Sequence, residues 1–185
     1  LLKKYDQYAL SISATTRQPR PGERDGVEYF FKTSEEFRKM IAEDAFIEYA
    51  RYVDNYYGTP RSYVEEQLAA GKDVILEIEI QGALEVKRKR PDTLLLFVTP
   101  PSAGELERRL VGRGTETMEV IQSRLSRAVE ESKGMGGYDY IVINDVLEDC
   151  MEQMHQIICS QRQSASHQIE FISQIQKELK DREDN

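Results

Sequence analysis

Four short apolar runs with β character constrain the fold more than any other feature of this sequence. They span residues 9–13, 73–80, 93–99 and 140–144. Stretches with helical spacing separate the last three runs, and this alternation is typical of a parallel sheet with crossover helices. The sequence therefore predicts an α/β protein with a parallel-sheet core.

A segment of different texture, residues 14–62, interrupts the predicted core. It is rich in Tyr, Pro, Gly and charged residues. One helix is predicted in it over residues 34–41, with Ser34 as the N-cap, acidic residues in the first turn and an apolar stripe that begins at Phe37. We interpret this segment as a small mixed insertion in the sheet domain.

Two arginine-rich helices are predicted after the third apolar run. The first begins at Ser102, and a glycine-flanked turn over residues 112–115 joins it to the second, which carries Ile121, Leu125 and Val129 at four-residue steps. Such a pair of helices inserted between strands is typical of a mobile lid. The arginines that could act there are Arg108, Arg109, Arg113, Arg124 and Arg127, of which we select Arg113 and Arg124 for function.

The tail from Leu147 onward is helical by pattern, with a polar break over residues 160–166. Its last helix is expected to pack either on the core or on a second subunit. The apolar pattern alone does not choose between these two arrangements.

Charge and cysteine content limit the possible partners. The net charge of −8 argues against a general nucleic-acid binder, so a bound phosphate must be met by a local arginine cluster. Cys150 and Cys159 form neither a disulfide framework nor a zinc pattern, and the isolated His155 and His167 predict no metal site. No run approaches the ~20 apolar residues of a membrane span. We expect a cytoplasmic protein that binds neither nucleic acid nor membranes.

The densest candidate for phosphate binding is the segment over residues 13–23. Arg17 and Arg20 lie three residues apart beside two prolines, and their planar, forked donors suit a dianionic phosphate. The alternative is a solvated loop with surface arginines. Tyr29 and Tyr57 add phenolic donors, although the aromatic run around Tyr29 also fits a core strand.

Three glutamates are candidates for binding a ligand. Glu48 follows an apolar segment, and its carboxylate can accept hydrogen bonds from guanine N1 and N2, for which adenine has no matching pair. The alternative for Glu48 is an exposed surface position. Glu77 and Glu79 alternate with apolar residues in the run 73–80, so they share one face near the carboxyl end of the predicted strand, where open α/β sheets bind ligands. They are either functional or part of a structural salt bridge.

Taken in order, the motifs of residues 9–158 resemble those of guanylate kinases. The longest is Ser-Ile-Ser-Ala-Thr-Thr-Arg-Gln-Pro-Arg-Pro-Gly-Glu, over residues 11–23. The others are Phe-Ile-Glu-Tyr-Ala (46–50), Asn-Tyr-Tyr-Gly-Thr (55–59), Gly-Lys-Asp-Val (71–74), Ile-Gln-Gly-Ala (80–83), Pro-Pro-Ser (100–102), Arg-Gly-Thr (113–115) and Tyr-Asp-Tyr (138–140).

The resemblance implies a P-loop nucleoside monophosphate kinase fold and ATP-dependent phosphoryl transfer to GMP or dGMP, with Mg²⁺ as cofactor. It implies a core of residues 1–12, 63–102 and 134–185, a GMP-binding domain over 13–62 and a lid over 103–133. By matching position, it implies that the GMP phosphate is bound by Arg17, Arg20, Tyr29 and Tyr57. It implies that guanine is read by Ser13, Glu48, Thr59 and Glu79, and that the site is supported by Glu23 and Glu77. It also implies that Arg113 and Arg124 reach the transferring phosphate and that Asn144 lies near the donor nucleotide.

The sequence departs from its relatives at two places. Many relatives have Asp-Ile-Asp where this chain has Glu77, Ile78 and Glu79. The phosphate-loop motif G-x-x-x-x-G-K-[ST], which relatives carry near their start, does not occur in these 185 residues, so we expect the chain as given to bind GMP at best.

Two rival interpretations stay open at this point. One is a non-catalytic guanylate-kinase-like module of the kind found in scaffold proteins, which binds phosphorylated peptides. The other is a different nucleoside monophosphate kinase, which would need another base-reading segment. A homo-oligomer through the C-terminal helices is also possible.

Overall fold

A computed structural model describes residues 1–52, 54–112 and 117–183. The chain divides into two compact units, Leu1–Thr93 and Leu94–Asn185. The strands are β1 (Tyr8–Leu10), β2 (Ala14–Thr15), β3 (Phe30–Phe31), β4 (Phe46–Tyr52), β5 (Asn55–Pro60), β6 (Asp73–Ile75), β7 (Leu96–Thr99) and β8 (Tyr140–Ile143). The helices are α1 (Ser34–Ala42), α2 (Arg61–Ala69), α3 (Ile80–Lys89), α4 (Ala103–Gly112), α5 (Met118–Ser132), α6 (Leu147–Arg162) and α7 (Ile169–Glu183). This order confirms the predicted α/β class.

The first unit contains a parallel pair formed by β1 and β6, in which Leu10 lies opposite Ile75. The prediction of one strand over residues 73–80 was wrong. Strand β6 ends at Ile75 because β1 offers ladder partners only as far as Leu10, and α3 begins at Ile80. Glu77 therefore lies in a connecting segment rather than in a strand.

The alternation that predicted a longer strand still directs packing in this segment. Ile47, Val64 and Val86 form a buried cluster that joins β4, α2 and α3. Every second residue from position 74 packs against this cluster, and the acidic residues between them are exposed. The contacting residues are Val74, Leu76 and Ile78.

A second sheet of the first unit has the strand order β3-β2-β5-β4. The pairing of β2 with β3 is parallel, whereas β5 pairs with both β2 and β4 in antiparallel fashion. One face of this sheet packs on α1. There the Phe37 ring stacks on the rings of Phe46 and Tyr56, with centroid distances of 4.5 and 5.4 Å. The mixed pairing agrees with the predicted mixed character of the insertion.

Helix α1 confirms the predicted helix but moves its cap by one residue. Thr33, not Ser34, is the N-cap. Its side chain accepts a hydrogen bond from the Glu36 backbone N–H, and the Glu36 carboxylate accepts one from the Thr33 backbone N–H. This reciprocal capping box satisfies two backbone donors at the helix start, which a cap at Ser34 would leave open.

The second unit contains the parallel pair β7 and β8, in which Leu96 lies opposite Tyr140. Helices α4 and α5 are both present as predicted, and the Ser102 hydroxyl accepts a hydrogen bond from the Glu105 backbone N–H at the start of α4. The predicted break in the tail is also present, because α6 ends at Arg162.

Helix α7 is exposed along all its described residues and buries none of them. Its apolar side chains are therefore open to solvent within this chain. Across the described ranges, none of the helices combines the length and the apolar character that a membrane crossing requires.

Candidate functional site

An ion pair organises the loop between β2 and β3. The Arg17 Nη2 atom donates to both Glu23 carboxylate oxygens, at 2.9 and 3.0 Å. Both side chains are mostly shielded, with 16% and 17% of their surface exposed. The pKa of Arg17 is raised and that of Glu23 is lowered, in each case mainly by their mutual hydrogen bonds. This pairing holds the guanidinium in one orientation.

The same carboxylate also fixes the turn that carries Arg20. The Arg20 backbone N–H donates to Glu23 Oε2 at 2.7 Å, and the Glu23 backbone N–H donates to the Arg20 carbonyl at 3.0 Å. The Arg20 side chain itself is exposed. The loop therefore presents one oriented and one solvent-exposed guanidinium three residues apart.

Aromatic side chains pack beside the Arg17 guanidinium. The Arg17 Cζ atom lies 5.3 Å from the ring centroid of Tyr29 and 5.9 Å from that of Phe31, within the range of cation–π contacts. The rings of Tyr29 and Tyr57 meet edge to face at 6.1 Å. The structure thus brings together three of the four residues predicted to bind the phosphate, Arg17, Tyr29 and Tyr57, with Glu23, which was predicted to support the site.

A buried carboxylate lies on the same sheet. Glu48 on β4 is 6% exposed and lies opposite Thr59 of β5, whose hydroxyl donates to Glu48 Oε1 at 2.6 Å. Burial raises the pKa of Glu48, and hydrogen bonds from Thr59 oppose this rise. The exposed-surface alternative for Glu48 was wrong. A buried carboxylate with one fixed oxygen is suited to accepting hydrogen bonds from a bound ligand.

Strand geometry connects the two groups. Tyr57 and Thr59 are two residues apart on β5, so their side chains point to the same face of the sheet. Tyr56, the residue before Tyr57, points to the opposite face and contacts Phe37 there. The cationic loop and the buried carboxylate therefore share one face, and the α1 core lies behind it.

Three other predicted residues lie at the margins of this arrangement. Ser13 is half-buried just before β2, and its carbonyl accepts a hydrogen bond from the Phe30 backbone N–H at 2.9 Å. Glu77 and Glu79 are exposed beyond the carboxyl end of β6, and Glu79 is the N-cap residue of α3. The two acids therefore do not share a strand face as the alternation had predicted.

The second unit holds the residues predicted to act on the transferring phosphate and the donor. Arg113 lies outside the described residues, and Arg124 is exposed on α5. Asn144 directly follows β8. Its backbone N–H donates to the Thr99 carbonyl at 2.8 Å, and its carbonyl accepts from Arg109 Nη1 at 2.7 Å.

Three other arginines of α4 and α5 form local ion pairs. Arg108 and Arg109 both donate to Glu105, and Arg127 pairs with Glu131. These pairs connect residues three or four apart on one helix, which is the ordinary pattern of a solvated helix surface.

Two neighbours of the site were not singled out from sequence. Phe31 contacts Arg17, which its two-residue spacing from Tyr29 could have indicated because both rings then share a face. Gly82, in the first turn of α3, lies against the Glu48 carboxylate. No local sequence pattern predicts this contact, since Gly82 and Glu48 are far apart in the chain.

Comparison with known proteins identifies what this arrangement is similar to. The family model described as guanylate kinase matches residues 1–161. A guanylate kinase of Lactiplantibacillus plantarum is 51% identical over 157 residues, which cover 85% of this chain and 76% of the relative. A guanylate kinase of Streptococcus agalactiae is 55% identical over 152 residues, covering 82% of this chain and 73% of the relative.

A solved structure gives the same match. The crystal structure of guanylate kinase from Anaplasma phagocytophilum aligns with a TM-score of 0.73 and 29% sequence identity. The alignment covers 88% of this chain and 80% of that chain.

Proposed function

The chain belongs to the guanylate kinase family, and from that premise we propose that the shared face of the small sheet binds GMP. The reaction of the family is phosphoryl transfer from ATP to GMP. The observation that carries the site assignment is the buried Glu48, held by Thr59 on the same face as the Arg17 cluster. One group suits a base with two donors, and the other suits a phosphate.

At the phosphate end, Arg17, Arg20, Tyr29 and Tyr57 contact the GMP phosphate. Arg17 donates from Nη2 to Glu23 and from Nη1 to the Gln18 carbonyl, so the proposed phosphate contact uses the donors of its planar group that these bonds leave. Glu23 supports the site by orienting Arg17 and by fixing the turn of Arg20. The two tyrosines add neutral donors, so the site does not need a larger basic patch in an acidic protein.

At the base end, Glu48 accepts hydrogen bonds from guanine N1 and N2, and Thr59 both fixes Glu48 and contacts the base. An adenine cannot supply the two donors, so this end sets the preference for guanine. Ser13 and Glu79 complete base recognition, and Glu77 supports the site in the segment that follows β6. We assign none of these residues to the sugar 2′ position, so the proposal includes dGMP as an acceptor.

In the transfer step, Arg113 and Arg124 stabilise the charge that develops on the transferring phosphate, and Asn144 lies near the ATP donor. The GMP phosphate is already ionised at neutral pH. It therefore needs alignment and charge stabilisation rather than a general base.

Mg²⁺ is proposed to arrive with the ATP phosphates. This ion keeps most of its waters and often binds through substrate phosphates with one or two carboxylates. Within residues 1–52, 54–112 and 117–183, no three His, Cys, Asp or Glu side chains lie together as a metal site. We therefore assign no residue to Mg²⁺ and derive no step through it.

The setting and assembly of the protein are further proposals. A cytoplasmic location fits the nucleotide substrates and the free thiols Cys150 and Cys159. The acidic net charge is unfavourable for nucleic-acid binding.

The apolar side chains of α7 are exposed, so a homo-oligomer could form through this helix. Sedimentation velocity of the chain with and without residues 169–183 tests the oligomer, and identical monomeric masses would exclude it.

The alternative of a peptide-binding module is not favoured, because a buried carboxylate that matches guanine serves no purpose in binding a phosphorylated peptide.

The direct test of the proposed function is calorimetric titration of the chain with GMP and AMP, together with a coupled assay for ADP formation from ATP, GMP and Mg²⁺. We expect GMP to bind and AMP to bind at least roughly 100-fold more weakly. Equal binding of both nucleotides would overturn the assignment of the base end.

A further inference from the structure

Gly82 occupies the first turn of α3 directly against the Glu48 carboxylate. A Cβ atom placed on Gly82 would lie 2.8 Å from Glu48 Oε2 and 3.3 Å from its Cδ. Gly82 is not among the glycines with positive φ, so its backbone does not require glycine. Within a helix, alanine is ordinarily favoured over glycine. The reason for glycine at this position is therefore the space beside the carboxylate.

The Glu48 carboxylate has little freedom to give way. It is buried, its Oε1 atom is bonded to Thr59, and Thr59 is itself fully buried. The Lys89 ammonium donates to the Ile47 carbonyl at 2.9 Å, which ties the far end of α3 to β4 beside Glu48. A Cβ on Gly82 would thus push Oε2 aside instead of separating the helix from the strand.

We propose that Gly82 is a positioning residue for base recognition, because its missing side chain leaves the space in which Glu48 Oε2 faces guanine. This inference rests on the proposed function of Glu48. Gly82 does not touch the base. It acts by setting the orientation of the carboxylate, and a shift of about 1 Å in such a group is enough to lower affinity strongly.

The test is Gly82→Ala, with GMP and IMP affinities measured by calorimetry. IMP lacks the guanine N2 donor, so the ratio of the GMP and IMP affinities reports the orientation of the Glu48 carboxylate. We expect GMP affinity to fall by at least roughly tenfold and the preference for GMP over IMP to be lost. The matched control is Gly104→Ala, also in a first helical turn, where the nearest atom to a Cβ is 3.9 Å away. This control should bind both nucleotides like the parent.

A second variant separates a steric effect on Glu48 from general damage. Glu48→Asp shortens the side chain and withdraws the carboxylate from Gly82. In that background, adding Gly82→Ala should change GMP affinity by less than about twofold, because contacting residues do not contribute additively. A full tenfold loss in the Glu48→Asp background would overturn the inference, and so would parental GMP affinity in the Gly82→Ala variant.

The outcomes distinguish this inference from the proposed function. If the parent chain does not bind GMP, or if Glu48→Gln binds it equally well, the proposed function fails. If Glu48→Gln loses GMP binding but Gly82→Ala keeps both its affinity and its preference over IMP, only the role of Gly82 fails. Thermal melting of each variant accompanies the titrations, and the Glu48→Asp pair still decides the question if Gly82→Ala alone does not fold.

Discussion

The two ends of the proposed GMP site differ in how they are shielded from water. At the base end, Glu48 is buried between strands and helix α3, with Thr59 as its partner. At the phosphate end, Arg17 and Glu23 form a partly exposed ion pair and Arg20 extends into solvent. A phosphate is strongly hydrated and carries its own charge, whereas guanine can be distinguished only by directional hydrogen bonds. Shielding is therefore concentrated where selectivity is needed.

The strongest way to break this comparison is Glu48→Gln. The amide keeps the shape but replaces one acceptor by a donor, so it should reduce GMP affinity by on the order of 100-fold and lower the preference over AMP. Because burial disfavours the Glu48 charge, we expect the melting temperature to stay equal or rise. Calorimetry and thermal melting check both parts.

The control for that substitution is Glu35→Gln on the exposed surface of α1, which should leave GMP affinity unchanged. A large fall in the melting temperature of Glu48→Gln would contradict the view that this carboxylate is held for binding at some cost to stability.

A smaller loss is expected at the phosphate end. Arg20→Ala removes an exposed cation and should weaken GMP binding by roughly tenfold without changing guanosine binding, since guanosine has no phosphate. The melting temperature should not change, because the Arg20 side chain is exposed to solvent. Arg24→Ala, in the same loop, is the matched control. An equal loss in both variants would mean that the loop acts only through its net charge.

The smallest effect, and the one that sharpens the comparison, is pH dependence. Burial raises the pKa of Glu48, so its carboxylate is protonated first as the pH falls from neutral towards the ordinary glutamate value of 4.5. Guanosine binding needs the ionised form and should weaken several-fold over this interval. The Arg17 hydrogen bonds lower the pKa of Glu23, so that ion pair persists below 4.5.

Protein stability should respond in the opposite direction at the two ends. A raised folded-state pKa means that the folded protein binds the Glu48 proton more tightly, so acidification relieves the cost of this buried charge. The contribution of Glu23 is present above its unfolded value and is lost only as pH falls through its lowered folded pKa. Guanosine titrations of the parent and of Glu48→Gln between pH 7 and 5 test whether ionised Glu48 causes the pH dependence of binding. A pH-dependent affinity that persists in the variant would refute this role of Glu48.

Much of the two parallel strand pairs could be predicted from sequence because their strands are apolar runs. The runs at 93–99 and 140–144 contain β7 and β8 as observed. The run at 73–80 was predicted too long, since alternation continues past Ile75 but the pairing strand does not. Strands β2 and β3 have two residues each, too few to show any period.

The site was predictable to the extent that neighbouring residues carry it. The loop with Arg17, Arg20 and Glu23 is one continuous segment, so residue type and spacing were enough to nominate it. The burial of Glu48 could not be predicted, because it depends on Thr59 across the hairpin and on Gly82 in α3. Contacts of this kind are set by tertiary packing and leave no periodic signal in the sequence.

Side chains that point alternately to the two faces of the sheet along β5 affect the thermodynamics of ligand binding. Tyr56 is fixed by ring stacking on Phe37, and Tyr57, the next residue, is carried on the same stretch of backbone towards the site. The Tyr57 donor of the proposed GMP site is therefore ordered when the chain folds, before any nucleotide arrives. Less conformational entropy then remains to be lost on association, so affinity can be high with few contacts. Loosening the aromatic stack behind the sheet should make GMP binding entropically less favourable even though no ligand contact is removed.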